Sequence, residues 1–329
     1  MTMPATGKIP AVVVAWNSGK DIWRCLESLS SDHAVSEIIV VDNASTDNTR
    51  DIVKGYRKAR LLENPQNMGF AAAANRGIAE ASGEFVFLVN PDVSLEGDGF
   101  LASLAAALDA DPAAGAAAPK LLRPDGVTVD SAGLLMQRNR KAIDRGRDMP
   151  DGAEFSRPCR VFGACGAAAL YRRAMLDDIK ISGEYFDAVF FAYKEDIDLA
   201  WRANLLGWKT LYVPEAQAIH LRGWKGRSTG GSRSPSGARR GIPRGIRRHS
   251  HKNWYLSILK NDDIINVLKD LPSIAFYDLK LDLYALFFEP FLFLAFWDII
   301  KLLPEALKKR REIMSRRKVS PAGIRSLFV

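Results

Sequence analysis

The sequence predicts an α/β fold, a mostly parallel sheet flanked by helices. Three observations carry that expectation. Short β-branched runs alternate with helical patterns from Ala11 onward, the runs are apolar on both faces, and turn-forming polar residues stand directly after them. A strand that is apolar throughout needs cover on both sides, and intervening helices supply it. The same connectivity gathers the carboxyl ends of the strands on one edge, where open sheets of this kind bind ligands.

Residues 11–15 form the first strand, closed by Trp16-Asn17-Ser18-Gly19, with Ile22, Leu26 and Leu29 following at helical spacing. Residues 38–41 are a second buried strand closed by Asp42-Asn43-Ala44-Ser45, and a helix opens over 46–49. Residues 61–62 are a short third strand. The turn ending at Asn67 leads through Met68-Gly69-Phe70 into an alanine-rich helix over 71–81 that carries Asn75. Residues 85–89 are the fourth strand, followed at once by Asn90-Pro91-Asp92. A helix over 98–111, a polar hairpin-and-loop region over 119–158 and a strand over 209–213 complete the pattern.

Trp16, Asn17, Asp42, Asn43, Asn90 and Asp92 all lie just past strand ends. Turn chemistry explains each one alone, but a shared edge suggests a site. Asp92 can hold a divalent metal, Mg2+ or Mn2+, bridging two phosphates, or can simply make a Pro-Asp turn. The small cluster Gly163-Ala164-Cys165-Gly166 suits backbone approach to a sugar or a close crossing of elements.

An aromatic run beginning at Phe186 precedes Glu195, Asp196 and Asp198, and Leu199, Arg202, Ala203 and Leu206 continue at helical spacing until Gly207. Glu195 and Asp196 therefore occupy a first helical turn. There the macrodipole and unpaired N–H groups favour the ionised form, which suits either a capping acid or a base held ready. Asp198 and Arg202 read as an i,i+4 surface pair.

The ordered set Trp16-Asn17, Val41-Asp42-Asn43-Ala44-Ser45-Thr46-Asp47, Asn67 to Gly77, Asn90-Pro91-Asp92 and Glu195-Asp196 resembles family 2 glycosyltransferases of the GT-A (Rossmann-like) fold, over residues 9–222. Asp130-Ser131-Ala132-Gly133 with Arg145-Gly146, and Phe162 to Ala167 before Tyr171-Arg172-Arg173, resemble the rhamnosyltransferase branch. The resemblance implies an inverting transferase with a nucleotide diphosphate sugar donor, best matched by dTDP-L-rhamnose. Asp42, Trp16 and Asn17 would read the donor base, and Asn43, Asn67, Asn75 and Asn90 would line the donor. Asp92 would hold the metal and Asp196, beside Glu195, would be the catalytic base. The superfamily pattern is Asp-x-Asp, and Asn90 replaces its first acid. His220 is the candidate for the missing ligand, with a structural role as the alternative.

The 329 residues, 47% hydrophobic, can bury a large core, and three cysteines without ligand spacing imply neither disulfide frame nor zinc site. Residues 1–10 lack a signal-peptide pattern, which places the expected location at the cytoplasmic face. The net charge of +8 is uneven: ten Lys/Arg and no acid lie over 222–252, and eight Lys/Arg against one Glu lie over 308–325. Three regions are therefore expected: a catalytic domain over 1–222, a basic flexible loop over 223–252, and a helical region over 253–329. The loop could order over a diphosphate, and it lacks the aromatic interleaving of a nucleic-acid binder. Residues 279–303 are very apolar but interrupted by Asp282, Glu289, Pro290 and Asp298. That favours a helix pair lying in an anionic membrane surface over a spanning helix, the alternative being a helix packed on the catalytic domain. Such a segment implies a lipid-linked glycan acceptor. Alternatives are a UDP-sugar donor and an inactive transferase-like interaction protein; a dinucleotide-binding enzyme is disfavoured because no Gly-x-Gly-x-x-Gly follows the first strand.

Overall fold

The computed structural model describes residues 8–222 and 242–329. Helices and strands alternate as the hydrophobic pattern requires: β1 (Ile9–Ala15), α1 (Ile22–Ser31), β2 (Val35–Asp42), α2 (Thr49–Lys54), β3 (Ala59–Glu63), α3 (Phe70–Glu80) and β4 (Phe85–Val89). The strands β1, β2, β3 and β4 pair in parallel in the order β3-β2-β1-β4. Every residue of β1 and β4 is buried, because helices cover both faces. On one face α1 and α4 (Phe100–Ala110) pack Leu26, Leu101 and Leu104 against Val13, Val40 and Phe87; on the other, α3 packs Ala73, Ala74 and Ile78 against Val12, Ile39 and Val41. A Cβ at Gly77 would come within 2.4 Å of Val12 Cγ1, so α3 can lie this close to the sheet only with glycine there.

Beyond β4 the sheet continues through β11 (Ala168–Arg172), antiparallel to β4, then β6 (Ala114–Leu122), β12 (Lys209–His220) and β10 (Cys159–Val161). Two short strands, β5 (Val93–Glu96) and β7 (Val129–Ser131), pair with β12 and β6. The hairpin β8 (Leu134–Met136) and β9 (Ala142–Asp144) stands apart as its own two-stranded sheet. The strand expected over 209–213 runs on to His220: its register against β6 shifts between Val213 and Gln217, and pairing then resumes. That extension brings His220 opposite Val93, next to Asp92.

The helix α5 (Arg173–Asp178) follows β11, and α6 (Glu195–Leu205) carries the acidic motif. The C-terminal region contains α7 (Arg244–Asn261), α8 (Ile264–Phe288), α9 (Leu294–Ser315) and α10 (Pro321–Arg325). Helix α7 begins inside the stretch expected to be a loop over 223–252, and His251 and Lys252 on it are buried; residues 223–241 lie outside the described residues. A core cluster joins Trp201 and Leu205 of α6 to Ile313, Ile324 and Phe328, so the C-terminal region shares a core with α6 across residue 252.

Helices α8 and α9, linked by a turn over Pro290–Phe293, form the expected pair. Of the 25 residues of α8 only Asn266, Asp270 and Ala285 are buried, while Leu268, Leu271, Phe276, Leu279, Leu283 and Leu286 form an exposed stripe at helical spacing. Phe287, Phe288, Trp297 and Ile300 extend it. No described helix is long and apolar enough to cross a membrane.

Candidate active site

Two acid-bearing loops meet at the carboxyl edge of the sheet. Asp92 lies between β4 and β5, where Asn90 N–H donates to Ala167 O at 2.8 Å and Leu221 N–H donates to Asp92 O at 2.9 Å. His220, at the end of β12, places Nε2 3.5 Å from Asp92 Oδ1 and Nδ1 2.8 Å from Asp130 Oδ2. Arg222 Nε reaches the other oxygen of Asp130 at 2.5 Å, and its terminal nitrogen lies 3.6 Å from Asp144 Oδ2. Burial raises the Asp130 carboxyl, but hydrogen bonds from His220 and Arg222 outweigh that and hold it at about 2. Burial alone would lower His220; the Asp130 and Asp92 carboxylates overcome it and raise the imidazole to about 9.

The donor set fits a divalent cation once His220 gives up the proton that the two carboxylates hold on it, since only the neutral ring has a lone pair to donate. Asp92 and His220 converge within ligand range of one another, and Asp130 fixes the ring through its far nitrogen, as outer partners of metal-bound histidines do. Among the described residues no third His, Cys, Asp or Glu joins them. The remaining ligands would be diphosphate oxygens and water, the usual complement for Mg2+ or Mn2+.

Asp196 sits in the first turn of α6, half-buried, with Oδ2 accepting from Gly166 N–H at 2.9 Å and Oδ1 accepting from Ile197 N–H at 2.8 Å. A Cβ on Gly166 would stand 3.1 Å from that oxygen, and one on Gly163 would stand 2.5 Å from Ala200 Cβ. The small cluster therefore serves the close crossing of α6 and gives Asp196 a backbone donor. Burial lifts Asp196 above the ordinary carboxyl range, offset in part by those two N–H donors. Glu195 is buried, and its Oε2 has no hydrogen-bond partner among the described residues. Burial, then the Asp196 charge, raises it well above its ordinary range. The first-turn dipole was expected to favour ionisation of both acids, but desolvation outweighs it here.

Asp198 and Arg202, expected as a surface pair, are both buried. Asp198 accepts from Arg202 at 2.9 Å, lies 2.8 Å from Lys260 Nζ and accepts from Asn261 at 2.8 Å. Periodicity predicts the pairing correctly and the environment wrongly, because the cover comes from α7, about sixty residues downstream.

The loops after β1 and β2 are stitched together. Asn17 N–H donates to Ser45 Oγ, Asn17 Oδ1 accepts from Thr46 N–H, and Gly19 N–H donates to Asp47, each within 2.9 Å. Trp16 is left exposed above them. Asp42 is fully buried and accepts from Arg50 Nε at 2.6 Å. Asn43 exchanges hydrogen bonds with Asn64, Asn67, Met68 N–H and Gly69 O. Asn75 is engaged at both ends of its amide by the Phe186 backbone, at 2.7 and 2.8 Å. In this structure, then, Asn43 and Asn75 fasten loops, and Asn67 is shared between Asn43 and Gly69 N–H. Asp92, His220, Glu195 and Asp196 form the acidic edge. Asp130, Asp144 and Arg222 join it without having been singled out as site residues; Asp130 opens the Asp-Ser-Ala-Gly motif and Arg222 opens the basic stretch, but only the pairing of β7 and β12 with β6 brings them together.

The family model for Glycosyl transferase family 2 matches residues 11–180. The N-acetylglucosaminyl-diphospho-decaprenol L-rhamnosyltransferase of Mycobacterium tuberculosis (strain ATCC 25618 / H37Rv) is 33% identical over 254 residues, covering 68% of this chain and 78% of that protein. Among solved structures, S. aureus TarS 1-349 in complex with UDP superposes with a TM-score of 0.53 at 20% identity, over 86% of this chain and 73% of that one. The mannosyltransferase PcManGT from Pyrobaculum calidifontis, in complex with GDP-Man and Mn2+, superposes with a TM-score of 0.53 at 16% identity, over 97% of this chain and 78% of that one. At these identities the structural likeness concerns the fold.

Proposed function

We propose that this chain, which belongs to glycosyl transferase family 2 and uses a nucleotide-sugar donor, transfers L-rhamnose from dTDP-L-rhamnose, with inversion, to a lipid-linked glycan acceptor in cell-surface polysaccharide synthesis. Its fold is GT-A. The observation that carries the chemistry is the placement of Asp196 on α6, held by Gly166 N–H, on the same sheet edge as Asp92 and His220. The sugar and the lipid-linked acceptor are supported by the name of the mycobacterial relative.

In this reading Asp196 accepts the proton of the acceptor hydroxyl as its oxygen attacks the anomeric carbon. The bond to the diphosphate breaks on the opposite face, which inverts the centre. Raised by burial, Asp196 is a stronger base than an exposed carboxylate. Asp92 and His220 would hold Mg2+ or Mn2+, which when bound neutralises charge on the departing diphosphate. Asp130 keeps His220 oriented, and Arg222 balances Asp130. Trp16 and Asn17, at the mouth of β1, and Asp42 behind them would flank the donor base, with Asn67 and Asn90 nearer the diphosphate.

Purified protein should melt later with dTDP than with UDP or GDP, and the shift should depend on Mn2+. Nucleotide at 100 times its dissociation constant stabilises the fold by about 2.7 kcal/mol. A larger shift with UDP would replace the donor assignment. No Mn2+-dependent shift with any nucleotide would favour an inactive fold.

The exposed stripe on α8 and α9 supports a peripheral position on an anionic membrane surface, at the cytoplasmic face, where a lipid-linked acceptor would be met. Phe287→Asp combined with Trp297→Asp should weaken binding to anionic vesicles, read by co-sedimentation, by about 30-fold, two charges each costing ~1 kcal/mol at an anionic surface. Both side chains are exposed, so folding should be unaffected. Undiminished co-sedimentation would move the contact elsewhere.

A further inference from the structure

We propose that Asn253, on α7, is a positioning residue for the catalytic carboxylates, its side-chain amide holding the left-handed turn from which Glu195 and Asp196 project. The proposal rests on the reading of Asp196 as the base. The turn is unusual: Phe191, Tyr193 and Lys194 have φ of 61°, 69° and 70°, a region that residues with a Cβ disfavour. Lys194 is the N-cap of α6 and makes no side-chain cap hydrogen bond, and the first-turn N–H of Ile197 is taken by Asp196 itself. The start of α6, and with it the direction of Glu195 and Asp196, is therefore set by the turn.

A strained turn persists only when its surroundings over-determine it. Asn253 is fully buried, and its Nδ2 donates to Phe190 O at 2.8 Å, Ala192 O at 3.1 Å and Tyr193 O at 2.7 Å. The two N–H bonds of one amide are thus shared among three carbonyls on both sides of the reversal. Its neighbours on α7 reinforce it. Lys252 Nζ donates to Val189 O at 2.6 Å, and the His249 ring stacks on Phe191 with centroids 4.8 Å apart. From the catalytic domain Ala71 N–H donates to Phe191 O at 3.2 Å, and a Cβ on Gly69 would come within 2.5 Å of the same oxygen.

The full-length protein carrying Asn253→Ala or Asn253→Asp tests this, with kcat, donor KM and trypsin cleavage after Lys194 as readouts. The aspartate has the same shape but sets acceptor oxygens against acceptor carbonyls, whereas alanine leaves space that water can fill. Positioning therefore gives kcat in the order wild type, Ala, Asp, with the Asp variant lower by about 100-fold, as displacements near 1 Å do. Donor KM stays within about twofold of wild type in both, because the effect lies in the reacting geometry. Cleavage after Lys194 rises in both variants while the rest of the chain stays protected. A packing role gives the reverse order, since aspartate fills the volume and alanine does not; that order, wild-type kcat in the Asp variant, or unchanged protection at Lys194 overturns the proposal. If the Asp variant does not fold, Asn253→Ala and Lys252→Met carry the same readouts. Asp196→Asn is run in parallel: turnover retained there removes the base assignment, while the Lys194 cleavage pattern still decides whether Asn253 holds the turn.

Discussion

Asp196→Asn is expected to lower kcat by about 1,000-fold, the middle of the range for loss of a general base, and to leave the dissociation constant of the nucleotide within about twofold. The substitution keeps the shape of the side chain, and its one amide oxygen can still accept from Gly166 N–H while the bond from Ile197 N–H is given up, so the loop should hold. What is lost is a site for the proton of the acceptor hydroxyl. Initial rates at saturating donor, together with calorimetric titration of the nucleotide, separate the two effects. Turnover within about tenfold of wild type would take Asp196 out of the role. Glu195→Gln should behave differently. Glu195 is held protonated by burial, so the amide resembles its resting form and kcat near neutral pH should fall far less than in Asp196→Asn.

Lys260→Met is expected to cost about 3 kcal/mol of stability, the lower end of the range for breaking a buried ion pair. Lys260 is 1% exposed and pairs with both Asp187 and Asp198, themselves 1% and 0% exposed. Methionine fills the volume but leaves two buried carboxylates one cation short. The effect stays at the low end because Lys309 still reaches Asp187 at 2.8 Å and Arg202 still reaches Asp198 at 2.9 Å. Urea unfolding measures the loss; a change under about 1 kcal/mol would mean that water reaches the cluster.

The pH dependence of that loss has a definite sign. Burial opposes the Asp187 charge, but Lys260 and Lys309 overcome it and hold the carboxyl below its usual range. A carboxyl depressed in the folded state contributes stability that is present above its unfolded value, about 3.9, and is lost as pH falls through its lowered native value. The gap between wild type and Lys260→Met should therefore be full at neutral pH and narrow below about pH 4. Glu195 works in the opposite direction. Its raised native value makes stability decline as pH rises above the ordinary glutamate value of about 4.3, and Glu195→Gln should flatten that decline.

Local pattern was enough for much of this molecule. Wholly apolar strands such as β1 and β4 could only be central and covered, so the sheet, its edge and the positions of Asp42, Asn43, Asn90 and Asp92 at strand ends followed from periods of two and 3.6 and from turn residues. The interrupted apolar stretch after Leu279 likewise gave a helix pair, which breaks at Glu289-Pro290, whereas Asp282 and Asp298 lie within the two helices. Long-range pairing decided the rest. His220 meets Asp92 only because β12 lies antiparallel to β5, and Asp130 meets His220 only because β6 holds both β7 and β12. Asp198 and Arg202 are buried because α7 lands on them with Lys260, and the expected ionisation of Glu195 is reversed by its burial and by the Asp196 charge beside it. Burial and charge state depend on what packs from elsewhere in the chain. A residue's neighbours in sequence fix its backbone and its face, whereas its dielectric surroundings are assembled by the fold.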